Sequence, residues 1–116
     1  MSIGRTHNIN FLENSTQILY SIKSRVHEVA PDAKVLLFGS RAYGQPTSES
    51  DWDILILTHQ PVNNILKDNI HYQLFPISVR IGAFINALTV QEEDWVSNPA
   101  YYSIRQSIKS GLKQHG

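Results

Sequence analysis

Apolar positions recur along this chain at two periods, and the changes between them divide it into elements. Ile18, Leu19, Ile22, Val26 and Val29 fall at helical spacing. Asn14 and Gln17, just ahead of them, have the separation of a reciprocal N-terminal cap, and Pro31-Asp32 stops the helix. Residues 35–38 form a short continuous apolar run, which reads as a buried strand. Ser40 to Tyr43 suits one or two helical turns, and residues 44–50, with Pro46, read as an exposed loop. Trp52 to Thr58 is the second strand. Pro61 suits a helix start and predicts a helix over 61–73, with Ile65, Leu66 and Ile70 facing inward.

Beyond Pro76 the period changes to two. Ile77, Val79, Ile81 and Ala83 alternate with Ser78, Arg80 and Gly82, which predicts a third strand over 77–83 that extends to residue 85. A short helix is expected from Thr89 or Val90 to Ser97, and Glu92, Glu93 and Asp94 read as belonging to a helix start rather than to the strand. Asn98 then caps a last helix, with Pro99 at its first position. Tyr101, Ile104, Ile108 and Leu112 line one face of that helix, Gly111 lies near its end, and Lys109 and Lys113 form a solvated face. The expected fold is α/β (α+β): a small mixed sheet of three to four strands flanked by helices. It is covered mainly on one side, leaving the other for a partner. Residues 1–13 show no period and read as a loose arm, and 14–116 read as a single domain.

Composition narrows the function. The 116 residues carry ten Lys and Arg against ten Asp and Glu, a formal net charge of zero. This argues against dedicated nucleic-acid binding, which shows as a basic stripe. There is no cysteine, so disulfides and thiolate metal sites are excluded. No apolar run is long enough to span a membrane, and Met1-Ser2-Ile3-Gly4-Arg5 lacks the apolar core of a signal peptide. A cytoplasmic protein is the expectation.

The chemistry concentrates between the first two strands. The first delivers Gly39-Ser40, residues 41–50 follow, and the second begins Asp51-Trp52-Asp53. Alternate residues of a strand share a face, so Asp51 and Asp53 are expected side by side, with Trp52 pointing into the core. Adjacent carboxylates repel unless a cation lies between them, and Mg²⁺ is held by one or two carboxylates plus substrate phosphates. Arg41 reads equally as a surface residue or a phosphate contact, and Tyr43 as packing. His7, His27, His59, His71 and His115 show no ligand spacing and read as surface or partner-facing.

The string Phe38-Gly39-Ser40-Arg41-Ala42-Tyr43-Gly44, with Ser50-Asp51-Trp52-Asp53 after its spacer, resembles the minimal nucleotidyltransferase domain of the DNA polymerase β-like superfamily. The resemblance extends over residues 14–111. It implies that Gly39, Ser40 and Arg41 bind the nucleotide, and that Asp51 and Asp53 are catalytic and carry Mg²⁺ or Mn²⁺, with ATP or another NTP as substrate. Such domains supply a third carboxylate from a neighbouring strand. On the strand expected over 77–83 that position falls on Ser78, with Arg80 on the same face, which leaves the carboxylate triad incomplete.

Two functions follow from the resemblance. One is nucleotidyl transfer, adenylyl in the first instance, to a hydroxyl on a protein, as in small antitoxins of this superfamily that pair with helical HEPN-type toxins. The other is a binding module that keeps the fold with little or no catalysis, which the replacement of the third carboxylate by Ser78 favours. Modification of a small molecule ranks last, because 116 residues leave little room for an acceptor domain. A homo-oligomer is compatible with any of these.

Overall fold

Three strands make one mixed sheet in the order β1-β2-β3. The computed structural model describes residues 14–43 and 50–115; the side chains of 40, 43 and 109–115 also lie outside the description. The elements are α1 Ser15–Val29, β1 Lys34–Phe38, α2 Ser40–Tyr43, β2 Trp52–Thr58, α3 Asn64–Ile81, β3 Ile85–Gln91 and α4 Glu92–Ser97. A 3₁₀ turn at Pro99–Tyr101 leads into α5 Tyr102–His115. The expected arm, residues 1–13, lies outside the described residues, as do the loop 44–49 and the side chains of Leu112, Lys109 and Lys113.

Local chemistry accounts for most of the boundaries. Asn14 Oδ1 accepts from the Gln17 amide at 2.8 Å while Gln17 Oε1 accepts from the Asn14 amide at 2.9 Å, so both orphan donors of the α1 start are satisfied. Asn63 caps α3 by accepting from the Leu66 amide at 2.8 Å, two residues beyond the expected start at Pro61. Gly82 closes α3 in the left-handed region (φ 70°), where glycine carries no steric penalty. Asn98 accepts from the Ala100 amide at 2.9 Å, as expected, but opens a 3₁₀ turn before α5.

β2 is the central strand, antiparallel to β1 and parallel to β3, and it is buried on both faces. On one face Trp52, Ile54 and Ile56 join Val35, with Ile18, Ile22 and Val26 of α1 and Leu66, Ile70, Leu74 and Ile77 of α3. On the other, Leu55 and Leu57 meet Val90, Trp95 and Ile108. Both faces are therefore covered, whereas the sequence pattern suggested one. Trp52 is core, 1% exposed. No helix among the described residues is long and apolar enough to cross a membrane.

The largest departure from expectation is the segment 76–85. The predicted strand over 77–83 is helix: α3 runs through Pro76 to Ile81. Ile77, Val79 and Ile81 alternate, but Ile77 and Ile81 are also four apart, and helical geometry puts these two on the same side. Ile77 is 2% exposed and Val79 64%, a separation that period two would not produce. Pro76 removes one intrahelical donor, and burial of Leu74 and Ile77 on either side holds the helix across it. Ile65, expected to face inward, is exposed, while Leu66 and Ile70 are buried. The third strand is Ile85–Gln91, which delays the following helix to Glu92.

Candidate active site at the start of the two parallel strands

The site begins where β1 ends. Gly39 has φ 77°, a conformation side chains other than glycine adopt at a cost. Its carbonyl accepts from the Ala42 amide at 3.1 Å, opening α2. The Asp53 carboxylate lies directly against it: a Cβ at position 39 would fall 3.0 Å from Asp53 Cγ and 3.2 Å from its Cβ, and would overlap Oδ2. Glycine is thus required twice, for the turn and for the close approach of β2's first carboxylate.

Phe38 of β1, Asp53 of β2 and Asn86 of β3 occupy one row across the sheet. Paired residues share a face, so Asn86 stands beside Asp53. Asn86 Nδ2 donates to Asp51 Oδ2 at 3.0 Å and to Asp53 Oδ1 at 3.3 Å. One amide group thereby ties the two carboxylates together, and they are side by side, as alternate residues of an extended segment must be. A groove of about 280 Å³ opens on this row, lined by Phe38, His71, Ile85, Asn86, Ala87 and Leu88.

Arg41 braces the approach. Its Nε donates to the Ser50 carbonyl at 2.9 Å, and its guanidinium lies 4.6 Å from the Trp52 ring centroid, within cation–π range. Burial lowers the Arg41 pKa from its ordinary value, and the negative charge of Asp51 acts against that fall. Arg41 thus spans both ends of the segment between Ser40 and Asp51, with its positive charge felt at Asp51. The Ser40 and Tyr43 side chains lie outside the description.

Ser78 and Arg80 do not occupy the third position. Both are on α3, where Ser78 Oγ donates to the Phe75 carbonyl at 3.0 Å and Arg80 donates to Ser21 of α1 at 3.4 Å. The residue in register with Asp53 is Asn86. The β3 residue beside the two carboxylates is thus an asparagine, eight positions beyond Ser78. Gly82 was the available signal: a glycine after a long apolar stripe marks a helix end, which moves the strand beyond it. Glu92, Glu93 and Asp94 form the first turn of α4, as expected.

Among the described residues no group of three or more His, Cys, Asp or Glu gathers as a metal cluster. His59 lies 3.8 Å from Glu92, and His27 contacts the Ala33 carbonyl at 2.9 Å. The donor set at the end of the sheet where β2 and β3 begin is two carboxylates and an amide, hard ligands that suit a hard cation sharing its coordination with phosphates.

A family model described as nucleotidyltransferase domain matches residues 17–114. Comparison with curated proteins gives no significant match.

Proposed function

The chain belongs to the nucleotidyltransferase domain family, and from that premise we propose that it transfers an adenylyl group from Mg-ATP, or Mn-ATP, to a hydroxyl on a protein. The observation that carries this reading is the approach of Asp53 to the Gly39 turn, with Asp51 held beside Asp53 through the Asn86 amide. Asp51 and Asp53 hold the cation. Gly39, Ser40 and Arg41 would receive the triphosphate, and a cation held by Asp51 and Asp53 would supply charge stabilisation at the phosphates. The acceptor oxygen bonds to the α-phosphorus, the bond from the α-phosphorus to the bridging oxygen breaks, and pyrophosphate leaves. The hydroxyl proton passes to solvent or to a group on the acceptor. The groove at Asn86, with a volume of about 280 Å³, suits an acceptor side chain.

Isothermal titration with ATP and Mg²⁺ or Mn²⁺, with Asp51→Asn as control, tests the site. Metal-dependent binding lost in the variant supports it, and absence of binding at millimolar nucleotide overturns it. Transfer of label from α-labelled ATP to a protein acceptor tests the chemistry.

A second reading has its own observation. Tyr72, Phe75, Val79 and Phe84 are 64–79% exposed, and Phe75, Val79 and Phe84 line a groove with Ser78, Gly82 and Ala83. Clustered exposed apolar residues mark protein interaction surfaces. In this reading the chain is a binding module, with α3 and the turn after it docking a helical HEPN-type partner or a second copy, and catalysis is dispensable. Pull-down by Asp51→Asn and Asp53→Asn variants as efficient as by the parent, with loss in Phe75→Asp, favours it. Loss of the partner in the aspartate variants counts against it.

A further inference from the structure

We infer that Asn86 makes this a site that takes a divalent cation only when a polyphosphate brings it, by holding Asp51 and Asp53 together with its own N–H groups in place of a metal. The inference rests on the nucleotidyl-transfer reading of the same site.

Its basis is the pair of contacts from one nitrogen, at 3.0 Å to Asp51 Oδ2 and 3.3 Å to Asp53 Oδ1. Asn86 is the β3 residue in register with Asp53. An amide nitrogen carries two donors and no charge. In this position it relieves the repulsion of the carboxylates where a cation would otherwise do so. A metal ion entering between Asp51 and Asp53 must therefore displace these charge-assisted hydrogen bonds. The amide would then withdraw from both carboxylates.

The balance for a bare ion is poor. Mg²⁺ requires six ligands in near-ideal octahedral geometry and loses its waters reluctantly, and two carboxylates alone offer little in exchange. An ion already held by a triphosphate would have fewer waters to give up to the two carboxylates. Cation and nucleotide are then coupled, each raising the other's affinity by the same factor, as linkage demands. An aspartate at position 86 would put a third negative oxygen donor on the same row and would relax the requirement for phosphate.

The test is Mn²⁺ binding to the full chain, followed by titration calorimetry and by the electron paramagnetic resonance of the unbound ion, with and without a non-hydrolysable ATP analogue. The parent is compared with Asn86→Asp and Asn86→Ala. Without nucleotide, Asn86→Asp is expected to bind Mn²⁺ at least about tenfold tighter than the parent, since affinity follows the charge count of the ligand set. The analogue is expected to raise the parent's Mn²⁺ affinity by a larger factor than that of Asn86→Asp. Asn86→Ala, which removes the amide without adding charge, is expected to bind Mn²⁺ no more weakly than the parent, and keeps the test open should three carboxylates unfold Asn86→Asp. Equal Mn²⁺ affinity of parent and Asn86→Asp overturns the inference, as does weaker binding by Asn86→Ala. If the parent still binds the metal–analogue complex in those cases, the transfer reading survives. If neither the parent nor Asn86→Asp binds that complex, the transfer reading falls too.

Discussion

Asn86 on β3 stands in register with Asp53 on β2, and its side-chain nitrogen bridges Asp53 and Asp51 at 3.3 and 3.0 Å. Sequence-local chemistry does not create this relationship. It requires parallel pairing of two strands separated by the whole of α3, and it defines the row from which the candidate site is built.

Asp51→Asn and Asp53→Asn are expected to keep the fold and lose nucleotidyl transfer by roughly 10²-fold or more, because in the proposed reaction each would remove a charge that holds the cation at the transferring phosphate. Asp53 carries the larger structural cost, being half-buried against Gly39. Rates with α-labelled ATP, alongside thermal melts of both variants, check this. Full activity in both rules out the assigned roles.

Gly39→Ala is expected to destabilise the protein by about 1–3 kcal/mol, the cost of a strained left-handed residue, and to displace Asp53. The new methyl would have to occupy the place of the Asp53 carboxylate. Urea denaturation monitored by tryptophan fluorescence gives the midpoint, and metal-dependent nucleotide binding should be lost in the same variant. Parental values for both would contradict the close approach described here.

The helical reading of residues 77–81 separates two substitutions that a strand would treat alike. Ile77→Ala should cost about 2–4 kcal/mol as a large-to-small change in the core, whereas Val79→Ala should stay within about 0.5 kcal/mol. Ile77 is 2% exposed and Val79 64%. Chemical denaturation of the pair measures the difference, and equal costs would restore a strand.

Glu92 links α4 to β1. Its Oε2 accepts from Lys34 Nζ at 2.7 Å, and this hydrogen bond is the main cause of a pKa below the ordinary carboxylate value; the charges of Lys34 and His59 act in the same direction, and desolvation opposes them. A carboxylate with a depressed folded pKa contributes stability that is complete above its unfolded pKa and is lost as pH falls through the folded one. Glu92→Gln should therefore lower stability at neutral pH by a small amount, as surface pairs do. The difference from the parent should vanish in acid, below the ordinary carboxylate range. Thermal melts from neutral to acidic pH would show the two curves converging, and a constant offset would refute the pairing.

Much of this molecule was legible before its tertiary structure. The Asn14–Gln17 cap, the strands on either side of Gly39, the inward Trp52 and the adjacent aspartates all follow from short-range rules, because caps, turns and the two-residue period of a strand are decided by neighbours in the chain. The fold class followed from the order of these elements. The third strand did not. Residues 77–83 satisfy both a period of two and a spacing of four, and Pro76 argues locally for a break. Packing of Leu74 and Ile77 into the cluster with α1 and β2 selects the helix instead. That choice moves β3 to Ile85–Gln91 and brings Asn86, rather than Ser78, to the carboxylates. The sequence by itself determined the two adjacent aspartates and the glycine turn that precedes them. Only the tertiary structure decided their third neighbour, because parallel pairing has no turn to announce its register and is settled by burial across long stretches of chain.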